Sequence, residues 1–320
     1  MATDYSYMDK WSSNDVAKFK EEAEEKRFNQ INIEPGFVRG EVTHLNQRDV
    51  KSGLINFNAG QIEFKSGLWD FHSENKIVAE GDSWFDYLPG TDLIDCLRSH
   101  HGYSIKNYAK AGDTLENMIY GIGIDENFQR TSPTINKVLK KIGQLKPKIF
   151  LFSGGGNDVA GEEFTYYLNH RNSSLPTIKD DYVNYMINIV FKKYFSDLID
   201  KVHAVSPDTN ILAHGYGHTI PTGKGVRFLF FNFSGPWLRP ALAMKGIFDS
   251  LEQRATVERM IDSFNEMLKD VSATNDKFHH IDLRPLLDPE ADWANELHLR
   301  NSAYAKAADA VHKKIVEIES

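Results

Sequence analysis

Lys76-Ile77-Val78-Ala79-Glu80-Gly81-Asp82-Ser83-Trp84 decides how this chain is read. A short apolar run predicts a buried strand, and the Gly-Asp-Ser that follows turns the backbone sharply at the strand's end. Working outward, the same grammar recurs. Ser104–Tyr108 leads into Lys110-Ala111-Gly112-Asp113-Thr114, and Lys148–Ser153 leads into Gly154-Gly155-Gly156-Asn157-Asp158. Two further strands are read at Asn210–His214 and His279–Asp282. Helical patterns separate them, above all Asp181 to about His203. There Val183, Met186, Val190, Tyr194, Leu198 and Val202 recur at three or four residues, and Pro207 closes the helix. A last helix follows Asn301-Ser302. Alternating strands and helices predict a parallel sheet with crossover helices, whose polar loops gather at the carboxyl ends of the strands.

Three of the motifs, with Asn295-Glu296-Leu297-His298 near the C-terminus, hold the parts of an acyl-transfer site. Ser83 is the candidate nucleophile and His298 its base, since a neutral imidazole takes the serine proton and returns it to the leaving group. Gly112 opens a helix start, where backbone N–H groups are unpaired and carry partial positive charge. Asn157 offers a neutral amide donor to an oxyanion. Asp82 and Asp158 are read as braces of their loops.

In these four motifs the chain resembles the SGNH hydrolases, the GDSL-type esterases and lipases, named for residues matched here by Ser83, Gly112, Asn157 and His298. The resemblance runs from about residue 75 to the C-terminus. It implies a three-layer α/β/α fold with a mainly parallel five-stranded sheet of flavodoxin-like type. It also implies ester hydrolysis through an acyl-serine and an oxyanion hole built from the Ser83 N–H, the Gly112 N–H and the Asn157 amide. One position departs: the family motif reads Asp-x-x-His, and Asn295 stands where the acid belongs. Three readings stay open: a Ser–His dyad oriented by an amide, an acid moved to Asp292, or an inactivating substitution. Asn295 could present either its carbonyl oxygen or its NH₂ to the imidazole. Glu296, two residues before His298, is expected to point away if the loop bends as the motif requires, whereas an extended loop would leave both on one side.

Composition bounds the rest. The 320 residues are 41% hydrophobic and 26% charged, ordinary for a globular protein, with a formal net charge of −8. That charge and the lack of a basic cluster speak against nucleic-acid partners. No apolar stretch approaches the roughly 20 residues of a membrane span, and no secretory signal is visible. With a single cysteine, Cys96, the expected location is cytoplasmic. No cofactor or metal is expected: His100-His101, His279-His280 and His214/His218 lack ligand spacing, and Pro221–Gly225 lacks the Ser/Thr and first glycine of a phosphate loop. A small-molecule ester is the expected partner.

Residues 1–72 are read as an accessory segment, with a helix over 13–29 and a hairpin around Asn58-Ala59-Gly60. Residues 73–320 are read as the hydrolase domain. Within it, 218–247 is broken by Pro and Gly and rich in aromatics. It reads as a lid-like insertion in which Phe230, Phe231 and Trp237 line the substrate pocket, or as a cover for the core. The whole predicts a serine ester hydrolase, the alternative being a non-catalytic relative that binds an acylated ligand or a protein.

Overall fold

The computed structural model describes residues 77–87, 90–228 and 231–320, with the side chains of 227–234 left outside the description. The accessory segment expected over 1–72 lies outside the described residues.

Strand β1 (Ile77–Glu80) is buried along its whole length. Helix α1 (Leu93–His101) starts at a capping box in which Asp92 and Asp95 accept each other's backbone N–H. Then come β2 (Ile105–Asn107), α2 (Leu115–Tyr120) capped by Thr114, α3 (Thr134–Leu145) and β3 (Ile149–Phe152). Helix α4 runs without a break through Asp180–Asn184, a π-helical stretch Tyr185–Phe191, and Lys192–Val205. Strand β4 (Asn210–His214) precedes an antiparallel hairpin of β5 (Val226–Phe228) and β6 (Phe231–Ser234). Helices α5 (Arg239–Met244) and α6 (Ser250–Ala273), strand β7 (Phe278–Ile281) and helix α7 (Asn301–Glu319) complete the described chain.

The main sheet has the order β2-β1-β3-β4-β7 with every neighbouring pair parallel. The expectation of a mainly parallel five-stranded sheet sharpens to an all-parallel one. Burial on both faces explains why the strands read as apolar runs rather than alternations. Val78, Phe150, Phe152, Ile211, Ala213 and Phe278 pack under α2, α3, α4 and α6. The residues between them, among them Ile77, Ala79, Leu151 and Leu212, pack under α1 and α7.

The stripe expected on α4 holds at its two ends and is displaced in its middle. Val183, Leu198 and Val202 are buried as expected, but between them the buried positions are Ile187, Phe191 and Phe195, with Met186, Val190 and Tyr194 half-buried. The π-helical stretch, with its wider i→i+5 turn, makes the inward face recur every four residues, which a strict α period misses. The 218–247 segment contributes the β5–β6 hairpin, separate from the main sheet, and the short α5, in keeping with its glycine and proline content.

Candidate active site

The quoted motifs converge because each leaves the carboxyl end of a strand: Ser83 after β1, Gly112 after β2, Asn157 after β3. Gly81 permits the tight exit, since a Cβ there would lie 2.7 Å from Ser153 Cβ. Asp82 braces the turn: its Oδ1 accepts the Trp84 N–H at 3.0 Å and its Oδ2 accepts the Tyr216 hydroxyl at 3.0 Å. Trp84 Nε1 donates to the Leu297 carbonyl at 3.0 Å, tying the serine turn to the histidine loop.

Ser83 Oγ lies 2.8 Å from His298 Nε2, and His298 Nδ1 lies 3.0 Å from Asn295 Oδ1. The same Oδ1 accepts the backbone N–H groups of Leu297 and His298, both at 2.9 Å. Those N–H groups can only donate, so the atom they share must be the carbonyl oxygen. The Asn295 Nδ2 then points the other way and donates to the Tyr87 hydroxyl at 3.2 Å. This settles which end of the amide faces the imidazole. Nδ1 carries the proton, and Nε2 is left as the acceptor for Ser83. Burial drives His298 down to about 3, so the resting imidazole is neutral near pH 7.

The two other carboxylates of this loop are committed elsewhere. Asp292 accepts from Lys306 Nζ at 2.7 and 2.9 Å and from the Asp288 N–H at 2.8 Å, so His298 Nδ1 faces Asn295 and not Asp292. Glu296 turns away from the imidazole and accepts four backbone N–H groups, from Gly223, Trp237, Leu238 and Arg239, at 2.6–3.1 Å.

On the oxyanion side, Gly112 has φ 81°, a left-handed conformation natural to glycine, and nothing stands within 4 Å of where a Cβ would project. Asn157 Nδ2 donates to the Asp113 carbonyl at 2.8 Å, joining the Gly112 and Asn157 loops. Asp158 accepts the Leu115 N–H at the start of α2. Beneath this loop Glu80 is fully buried, and neither of its oxygens forms a hydrogen bond of ordinary geometry among the described residues. Burial first, then the charge of Asp113, pushes its acid up to about 9.

A cavity of about 90 Å³ opens beside Ser83 and Asn157. Its wall is apolar, built by Phe164, Ile187, Leu238, Val257, Met260 and Phe264. Of the expected pocket residues, Phe230 lies outside the described residues, as does the side chain of Phe231. Trp237 stands T-shaped to His298, ring centroids 5.6 Å and planes 69° apart, rather than in the cavity wall. The true wall escaped sequence reasoning because apolar residues on helices look the same whether they bury against a core or a void.

A second serine–histidine pair lies deeper. Ser153, at the end of β3, places Oγ 2.9 Å from His214 Nε2 and 2.7 Å from Asp82 Oδ1. The paired histidines weighed as metal ligands have protein partners instead: His218 meets Asp262, His279 meets Asn210, and His280 meets Asn265. Among the described residues no three His, Cys, Asp or Glu side chains gather as a metal site, and no helix is long and apolar enough to cross a membrane.

The profile of the GDSL-like lipase/acylhydrolase family matches residues 79–306, and the chain belongs to that family. No curated protein matches it. Among solved structures it is similar to a family 3 carbohydrate esterase from Clostridium thermocellum, at 15% identity and TM-score 0.42, over 76% of this chain and 96% of that one. It is also similar to an extracellular lipase from Streptomyces rimosus (14%, TM-score 0.48, 75% and 99%) and a phospholipase A1 from Streptomyces albidoflavus (12%, TM-score 0.45, 75% and 99%).

Proposed function

We propose that this chain is a serine ester hydrolase that transfers an acyl group to Ser83 and then to water. The observation that carries the reading is the Ser83–His298–Asn295 relay at the mouth of an apolar cavity. Ser83 Oγ attacks the ester carbonyl carbon while its proton passes to His298 Nε2. The carbonyl oxygen becomes an oxyanion held by the N–H groups of Ser83 and Gly112 and the Asn157 amide. Collapse expels the alcohol, which takes the proton from Nε2, and leaves acyl-Ser83. Water, deprotonated by the same nitrogen, then releases the acid. The Asn295 carbonyl holds the Nδ1–H throughout, so the tautomer is correct although the charge of a triad acid is missing. The cavity takes the acyl group, because its wall offers almost no polar atom to an alcohol or sugar.

The test is hydrolysis of p-nitrophenyl acetate, butyrate and octanoate by the whole chain, with fluorophosphonate labelling read by mass spectrometry. Turnover is expected, with one label per chain on Ser83. Hydrolysis retained in full by Ser83→Ala, or no label on the active protein, overturns the assignment.

A further inference from the structure

The relay produces a buried cation. When Ser83 attacks the ester, His298 becomes an imidazolium with only an amide oxygen on Nδ1. Burial is the dominant influence on this ring, and no carboxylate offsets it. Charge of opposite sign is the usual remedy, and among the described residues none meets the ring: Glu296 is consumed by four N–H groups, and Asp292 is paired with Lys306. What does contact the ring is aromatic. Tyr87 stacks flat on His298, centroids 4.1 Å apart with planes 15° from parallel, and is itself buried. Trp237 closes another side at 5.6 Å and 69°. Tyr87 also accepts the Asn295 Nδ2–H, so one side chain both covers the imidazole and fixes the amide that orients it.

We infer that Tyr87 is a positioning residue whose ring stabilises the His298 imidazolium as a cation–π partner and stands in for the missing carboxylate charge. An aromatic face attracts a cation within about 6 Å, most strongly where both are desolvated. The position of Tyr87 carries a further sign of this role. Its hydroxyl takes up the amide hydrogen that would otherwise compete for the imidazole, so ring and hydroxyl act on the same proton inventory. The inference rests on the esterase reading above, and the outcomes below separate the two.

The test is a double-mutant cycle on steady-state hydrolysis of a p-nitrophenyl ester, with thermal melts to confirm folding. Tyr87→Leu is expected to lower kcat by roughly 10- to 30-fold with KM little changed, and Tyr87→Phe to recover most of that loss through its ring. In the Asn295→Asp background a carboxylate supplies the charge, so the cost of Tyr87→Leu should shrink to a few-fold. Should the leucine variant not fold, phenylalanine against pentafluorophenylalanine at position 87 keeps the shape and reverses the ring's electrostatics. A loss of about 10-fold or more on fluorination is then expected. An equal loss in both backgrounds, or equal rates for the two rings, overturns the inference while leaving the esterase standing. No hydrolysis by the unsubstituted protein overturns both.

Discussion

Two serine–histidine pairs share the carboxyl end of this sheet, and they differ in what surrounds the hydroxyl proton. Ser83 meets His298 Nε2 beside a cavity, backed by a neutral amide. Ser153 meets His214 Nε2 with no exposed surface and a carboxylate, Asp82, closer than the imidazole. His214 Nδ1 lies 2.9 Å from the Gly215 carbonyl, which only accepts, so Nε2 is an acceptor as well. The one proton of Ser153 is therefore contested by Nε2 and Asp82, and donating to the carboxylate ties the oxygen down. The pair with the acid is a brace; the pair without it faces the substrate space. An inventory of Ser, His and Asp would choose the Ser153 pair, whereas access to the cavity and proton counting support our assignment of Ser83.

The sharpest way to break that contrast is to remove each hydroxyl. Ser83→Ala should cost on the order of 10⁶ in kcat, as removal of a serine nucleophile does elsewhere. Ser153→Ala should stay within about tenfold in kcat/KM but lose about 1.5–3 kcal/mol in denaturant unfolding, since it deletes a hydrogen bond to a carboxylate. If the two variants exchange phenotypes, the roles assigned to the pairs are reversed.

A smaller effect tests whether the oxyanion side belongs to the Ser83 pair. Asn157→Ala should reduce kcat by roughly 10²–10³ with KM little altered, because its amide acts on charge that exists only in the transition state. An unchanged kcat would leave Asn157 as a link to the Asp113 carbonyl and nothing more.

The smallest effect on rate comes from contrasting two carboxylates on one strand exit. Asp82 is saturated by donors, whereas Glu80 has none of ordinary geometry and keeps its proton up to about 9. The unfolded chain releases that proton near 4.5, the ordinary value for Glu. Between those values the unfolded state binds fewer protons, so Glu80 lowers stability as pH rises from about 4.5 to about 9, by at most about 1.4 kcal/mol per pH unit. Glu80→Gln should flatten this part of the stability–pH curve and leave kcat near its original value. A curve of unchanged slope would show that Glu80 is already ionised in the fold.

The sheet and the four motifs were legible because both are local in sequence: apolar runs end in loops whose residue types carry the chemistry. Strand bounds fell within a residue or two. The middle of the stripe on α4 was misplaced by one position, at Met186, Val190 and Tyr194, because a π-helical stretch leaves no compositional mark. The orientation of Asn295 was undecidable until the Leu297 and His298 N–H groups were seen on the same oxygen. Tyr87 gave no signal at all, being distant in sequence from the ring it covers. Trp237 was singled out for a pocket and stands beside His298, because 218–247 is anchored by Glu296, whose backbone partners are distant in sequence.

That anchor limits how this site can be altered. Four N–H groups from two stretches of 218–247 converge on one carboxylate two residues ahead of His298. The segment is thus spliced to the base rather than hinged over it. A replacement cassette with a different specificity would have to present the same converging donors, or it would strand a buried carboxylate and loosen His298 together with the wall. Tailoring this site by loop exchange is therefore a transplant with one obligatory suture, at Glu296.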